Sequence, residues 1–447
     1  MANEPIFTNG KIGFTISTGA SYPTEVWFDN VVVKTIDNSL DVPYFNQNDL
    51  PWGPTEYDHA STLNISSPTI NRWGCAVTSA AMVLNFHNMT TFTDNTPIDP
   101  GSLNNWLKNN NGYLTGKNKK GGYAMLSFPT ISRLTKILYD AGKATKKLEF
   151  QRLLPSTQAT NTLLDDLNNG KYPDILKVSN ASTSSHFVVA TGSINNDTTF
   201  TIKDPEWNVA DLSSFGNTYL HIDRFIPAQS NLSYLLIVTN PETELLITDP
   251  SGHKTGKIVQ NGQTLSFLEI SDALYMQDSA ISNPGIPNGL GTDTHVFLLP
   301  KPMNGNYTLT ISGNSTTDYT VNLQTFLTDG SNTIYKTKGS VSRNNPDVYT
   351  FSYSQTMQST SQHQISLEST IADIQEQQTL GNINTFVAVS LLAELQDAQQ
   401  AKKKGKVKNE ITDISDAISI LKLFRTGITD DGYTALNQDL QYLKTNP

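Results

Sequence analysis

The chain holds one cysteine, Cys75, at the head of a long apolar run: Asn71-Arg72-Trp73-Gly74-Cys75-Ala76-Val77-Thr78-Ser79-Ala80-Ala81-Met82-Val83-Leu84. A glycine precedes it, and a run of small and aliphatic residues with helical character follows. This block predicts a buried helix with a thiol in its first turn. There the helix macrodipole favours negative charge, so the position suits a nucleophilic thiolate. The rest of the chain can be read as what positions that sulfur.

The 447 residues suggest roughly three domains of about 150 residues each. The composition is globular but polar, with 37% apolar and 16% charged residues. Abundant Asn, Thr and Ser with sparse charge give the flavour of secreted or surface-displayed bacterial β-rich proteins. A net charge of −10 argues against nucleic acid as a partner, because phosphate binding needs clustered Lys and Arg. No segment approaches the roughly 20 apolar residues of a membrane span. The opening MANEPIFTNGK lacks the apolar core of a signal peptide, so the expectation is either a cytosolic protein or one whose leader lies outside this sequence. The single cysteine excludes an internal disulfide; it fits a cytosolic protein and equally an exported protein that keeps a thiol free.

Residues 1–38 read as two or three strands, GKIGFTIS and EVWFDNVVVKTI, too few to bury a sheet face alone. Residues 39–228 read as helices first and strands later, which is α+β order. The helices fall at Cys75 onward, Asp99–Asn109, Phe128–Ala141 and Gln158–Asn169. The strands are DILKVS, HFVVATGSI and TFTIKDP, and Lys117–Tyr123 is expected to be a loop. Residues 229–355 are short strands and turns, the pattern of an all-β sandwich. A polar linker is expected over 354–362. Residues 363–447 repeat apolar positions at three and four spacing, giving a small α-helical domain of two or three antiparallel helices. Gly405 breaks that run, and Gly427 and Gly432 flank its last connection. Lys402–Lys404 reads as a solvated helix end.

A cysteine nucleophile needs a base, and the base needs a third group to orient it. Of seven histidines, His59 lies in a polar loop and His87 is three turns along the Cys75 helix. His221 has no strong context, and His253, His295 and His363 fall in the sandwich or linker. His186 opens the strand His186-Phe187-Val188-Val189-Ala190. Folding the hairpin about Asn195-Asn196 brings it within a residue or two of Asp204. A carboxylate there can hold one ring nitrogen and leave the other for the thiol. The alternative for each residue alone is structural: a strand-edge histidine, and a cysteine serving as a small buried hydrophobe.

Taken together, VPYFNQ, GCAVTSAAMVLN, PIDP, GKYPDILKV, SHFVVATG and TIKDP resemble cysteine peptidase family 39 in its extended sense, similar to the papain-like bacteriocin leader peptidases. The resemblance covers about residues 40–225. It implies a papain-like cysteine peptidase domain with Cys75 as nucleophile, His186 as general base and then acid, Asp204 orienting the histidine, and Gln47 donating to the oxyanion. The loop between Gln47 and Cys75 can shape a cleft lined by Trp52 and Trp73, with core packing the stronger role for Trp73. Residues 1–38 resemble the end of a laminin-G-like or concanavalin-like sandwich; the alternative is a β-hairpin packed on the next domain. The 229–355 region is similar to the small sandwiches that follow bacterial exopeptidases, and the last region resembles helical modules of bacterial surface enzymes.

No cofactor or metal is expected: HExxH and paired cysteines are absent, and Asp249 and Asp293 read as turn residues rather than a Ca²⁺ site. The expected function is hydrolysis of peptide or isopeptide bonds, secreted or at the cell surface. The substrate is then a peptide or protein, with cell-surface or glycan contact through the accessory domains. Two alternatives remain: a thiol acyl hydrolase acting on cell-wall peptides, and a non-catalytic adhesion or carbohydrate-binding protein on a papain-like scaffold.

Overall fold

The computed structural model describes residues 39–63, 67–118, 121–180, 183–194, 197–227, 231–279, 293–341, 346–357, 360–363, 367–379 and 381–445. The chain divides into two compact units, Met1–Asn38 and Ser39–Pro447. The first lies outside the described residues, and with it the expectation of a lectin-like strand remnant.

The first part of the larger unit is an α+β layer structure. Five antiparallel strands form its sheet in the order Leu148–Leu153, His221–Pro227, Asp174–Asn180, Thr183–Ile194, Thr199–Lys203. Side chains alternate across a strand, and this sheet is apolar on both faces. Phe150, Ile175, Phe187, Val189 and Phe225 point to one core, which includes Val77, Ala80, Leu84, Phe128 and Leu134 of the helices. Leu176, Val178, Val188, Ala190, Ile202 and Ile222 point to the other, against Ala159, Leu163 and Leu167. The helix Pro100–Lys108 starts where local chemistry requires it. Asp99 and Ser102 cap one another reciprocally and Pro100 follows the cap, an arrangement that satisfies orphan first-turn donors. Cys75–Phe86, Phe128–Asp140 and Thr157–Asp165 are the other long helices among the described residues of this part.

The expected loop at Lys117–Tyr123 is instead spanned by a hairpin, Tyr113–Asn118 against Gly121–Leu126. Its glycines and lysines hide the strand pattern. The strands Leu148–Leu153 and His221–Pro227 were also illegible, because charged residues interrupt their alternation. Those charges turn out to be paired inside the protein.

Among the described residues the sandwich shows a six-stranded and a five-stranded antiparallel sheet. Tyr307, Phe297, Tyr319, Phe351 and Ile247 fill the space between them. The strand Tyr234–Thr239 is buried on both faces. Leu235 and Ile237 face the sandwich core, while Tyr234, Leu236 and Val238 belong to the same core as the Cys75 helix. Val296, Leu298 and Phe326 do the same, so the α+β part and the sandwich share a hydrophobic core. The expected linker is shorter than predicted: Thr360–His363 adds an edge strand to Asp347–Tyr353.

Four α-helices follow among the described residues: Leu367–Thr379, Thr385–Lys403, Val407–Leu423 and Asp430–Thr445. Two or three were expected. Val387, Leu391, Leu395, Ile414, Ile418, Leu421, Leu436 and Leu440 form their own core. Gly405 takes a left-handed φ of 66° between two of them, as a helix C-terminus favours. Gly432 falls inside the last helix rather than in the connection before it. No helix among the described residues is long and apolar enough to cross a membrane.

Candidate active site

Gly74 separates a short helix, Ile70–Trp73, from the helix Cys75–Phe86. A Cβ at Gly74 would lie 2.5 Å from both Cγ2 and the carbonyl oxygen of Ile70, so only glycine lets the two helices abut. Cys75 thereby opens the longer helix, as the sequence predicts. No side chain caps this N-terminus, and first-turn N–H groups have no intrahelical acceptor. Cys75 is partly exposed, while Ala76 to Leu84 behind it are buried. Ser79 Oγ donates to the Phe187 carbonyl at 3.2 Å, which ties the helix to the strand carrying His186.

The hairpin of Thr183–Ile194 with Thr199–Lys203 ends its ladder at Val189 opposite Lys203. His186 and Asp204 lie just beyond that rung. Asp204 Oδ1 is 2.9 Å from His186 Nε2, and the same oxygen accepts the backbone N–H groups of Glu206 (2.8 Å) and Trp207 (3.0 Å). The carboxylate thus holds the imidazole and the turn around it together. Trp207 lies against the ring at 4.6 Å between centroids, with Phe215 beyond at 6.1 Å.

His186 is buried, and burial opposes its charge. Hydrogen bonds to Asp204 and to the Cys75 sulfur, with the charges of both, overcome that and raise its pKa to about 10. With Nε2 given to Asp204, Nδ1 is the nitrogen left for the sulfur. Cys75, His186 and Asp204 are therefore brought together from a helix, a strand and the turn after the next strand.

Gln47 is buried and bridges two parts of this site. Its backbone N–H donates to Pro205 O at 2.7 Å, and its side-chain Nε2 donates to Asn71 O at 2.8 Å. An amide NH₂ has two hydrogens, so one remains for another acceptor. Trp52 is partly exposed, stands edge-on to Phe45 and donates its indole N–H to Asn46 O at 2.8 Å. Trp73 is 7% exposed and belongs to the hydrophobic core. Arg72 lies over its indole at 4.7 Å.

Sequence reasoning missed Glu206 and Trp207. Glu206 Oε2 is 3.9 Å from His186 Nδ1. The available signal was adjacency, since both follow Asp204-Pro205 directly. Among the described residues no group of three or more His, Cys, Asp or Glu is arranged to hold a metal ion.

A thiol at a helix N-terminus thus faces a strand histidine in an α+β domain. Residues 39–224, about two fifths of the chain, match the family model described as Peptidase_C39 like family, which supports a C39-like cysteine peptidase domain over this segment. No curated protein and no solved structure matches the chain.

Proposed function

We propose that this protein is a thiol peptidase that hydrolyses peptide or isopeptide bonds with Cys75, His186 and Asp204. The observation that carries the reading is the 2.9 Å contact between His186 Nε2 and Asp204 Oδ1, which leaves Nδ1 to the Cys75 sulfur. In this arrangement the imidazole takes the thiol proton, and the thiolate attacks the acyl carbon. The imidazolium then gives its proton to the leaving amine, and a water activated by the same ring hydrolyses the thioester.

Charge develops on the substrate oxygen during attack, and preorganised donors aimed at it stabilise the transition state. The Cys75 backbone N–H at the uncapped helix start and the second hydrogen of Gln47 Nε2 are the donors in this reading. Asn71 O fixes the amide of Gln47 by taking its first hydrogen. The papain-like character of the fold is supported by the order of parts: a cysteine helix first, then a sheet bearing the histidine. A secreted or cell-surface location is part of the proposal and rests on composition.

The test is iodoacetamide alkylation of Cys75 across pH in the wild type and in His186→Ala, followed by peptide-library hydrolysis with Cys75→Ala as reference. Rapid labelling well below about pH 7, lost in H186A, with Cys75-dependent cleavage, is the expected result. Slow labelling typical of a free thiol, unchanged by the mutation, would remove the peptidase reading.

A further inference from the structure

Glu206 stands against the reacting groups without a role in the mechanism above. Its Oε2 is 3.9 Å from His186 Nδ1, and its side chain is 24% exposed. Nδ1 is the nitrogen that faces the sulfur, because Nε2 is held by Asp204. In acyl transfer the nitrogen that receives the thiol proton is also the one that delivers it to the leaving amine. A carboxylate beside that nitrogen, and still open to solvent, therefore borders the space of the leaving group.

The backbone fixes this position. Asp204 Oδ1 accepts the Glu206 N–H at 2.8 Å and the Trp207 N–H at 3.0 Å, so the turn presents Glu206 on the open side while Trp207 packs on the imidazole. We infer that Glu206 forms a cation-accepting subsite on the leaving-group side of Cys75, selecting substrates with a lysine, an arginine or another protonated amine there. This rests on the thiol-peptidase reading of the same site.

Four groups set the charge at the subsite. Burial pushes the Glu206 carboxyl up and Asp204 adds to that, while His186 and Arg72 act in the opposite sense. A carboxylate made less comfortable by partial burial gains from a bound cation. Arg72, stacked on Trp73, is the resident counter-charge that an incoming cation meets.

The single cysteine permits a test that needs no known substrate. Cys75 in the full chain is modified with two methanethiosulfonates of equal reach, one bearing a trimethylammonium group and one a sulfonate. The thiolate attacks the sulfenyl sulfur, a mixed disulfide forms and methanesulfinate leaves. The cation-to-anion rate ratio, normalised to a free thiol, is expected to fall about three- to ten-fold in Glu206→Gln, the size expected of one partly screened charge nearby. In Arg72→Gln it is expected to rise.

The peptide arm measures cleavage of a mixed library by the wild type, E206Q and C75A. The expected result is Cys75-dependent cleavage enriched for Lys or Arg immediately after the broken bond, with the enrichment lost in E206Q. An unchanged rate ratio in E206Q overturns the subsite. Cys75-dependent cleavage without that enrichment, or with it retained in E206Q, overturns it too and leaves the peptidase reading standing. Absence of any Cys75-dependent cleavage overturns the peptidase reading itself and the substrate assignment with it.

Discussion

Arg152 of the peptidase-like sheet donates through Nη1 to Asp278 of the sandwich at 2.9 Å, and both side chains are buried. They belong to a wider group. Arg152 also holds Asp223 through Nε (2.6 Å) and Nη2 (3.1 Å). Lys177 pairs with Asp278, and the His221 ring lies between the two carboxylates, 3.3 Å from Asp223 and 3.6 Å from Asp278. Burial disfavours the charge on each carboxyl, but these cations hold Asp223 below the ordinary range and Asp278 well below it.

Asp278→Asn should therefore destabilise the folded chain by about 3–5 kcal/mol at pH 7, because it removes the buried carboxylate that Arg152 and Lys177 share and leaves an excess of buried positive charge. Replacing Lys177 and Asp278 together by Met and Leu should cost less than D278N alone, since that change removes the desolvation cost of both ions. Urea unfolding checks both. The pH sign follows from a depressed carboxyl: its contribution is present above the ordinary carboxylate range and is lost as pH falls through the depressed value. The stability gap between wild type and D278N should thus be full at pH 7 and narrow in acid.

The shared core makes a second prediction. Phe150 lies 5.7 Å from Tyr234 between ring centroids, and Ser127 Oγ donates to Gln324 Oε1 at 2.6 Å. Ending the chain at residue 231 removes Tyr234, Leu236, Val238, Val296, Leu298 and Phe326 from the core around the Cys75 helix. Residues 39–231 should unfold at a much lower temperature than residues 39–363 and should bind an exposed-hydrophobe dye. A cooperative, dye-silent melt of the shorter chain near that of the longer would show the two parts to be energetically independent.

This shared core also explains what the sequence could and could not tell. The Cys75 helix and the hairpin from His186 to Asp204 were legible because their signals are local: a glycine-cysteine junction, alternating strands and a turn between them. Leu148–Leu153 and His221–Pro227 were not, because Arg152, His221 and Asp223 read as surface residues until Lys177 and Asp278 arrive from 25 or more positions away. Likewise the near-continuous apolar run Tyr234–Thr239 marks a strand but does not reveal that its second face seals another domain. Gln47 was accessible only by resemblance, since its link to Asn71 O is a contact across a long loop. Glu206 was overlooked because a polar residue after an Asp-Pro turn reads as solvent-facing.

The junction before the thiol should be intolerant of a single methyl group. In Gly74→Ala the new Cβ would collide with Ile70 at 2.5 Å, backbone oxygen included. The helices must shift apart, at a cost of about 1–3 kcal/mol typical of overpacking. Because Cys75 is the next residue, its alkylation at neutral pH should slow more than ten-fold, an estimate on the scale that a misplacement of about 1 Å produces. Thermal unfolding and iodoacetamide kinetics measured together separate the two effects, and unaltered kinetics in a folded G74A would show that the junction does not position the sulfur.

Removing the proposed oxyanion donor, Gln47, should affect turnover rather than the thiol. Gln47→Ala is expected to lower kcat by about 10²–10³-fold while leaving Cys75 alkylation within a few-fold of wild type. Gln47→Glu keeps the shape but replaces the NH₂ with an acceptor and should be as impaired. Equal loss of alkylation and turnover would instead mark Gln47 as a brace between Pro205 and Asn71.

The pH profile of the thiol tests how the charge on His186 is maintained. Burial alone would hold the imidazole neutral, but Asp204 and Cys75 lift its pKa to about 10, above the ordinary value of about 6.5. The imidazolium is then present throughout the neutral range and disappears as pH rises through about 10. Its contribution to stability has the same sense: complete below the ordinary value and lost on the alkaline side. Asp204→Asn keeps an oxygen to accept the Glu206 and Trp207 N–H groups, so the turn should survive, but the charge beside Nε2 is gone. The alkaline fall in His186-dependent Cys75 reactivity should move down by about one pH unit or more, each unit being about 1.4 kcal/mol of lost preference for the charged ring. Histidine NMR titration gives the same quantity directly. If the fall stays in place in D204N, the sulfur rather than the carboxylate sustains the imidazolium.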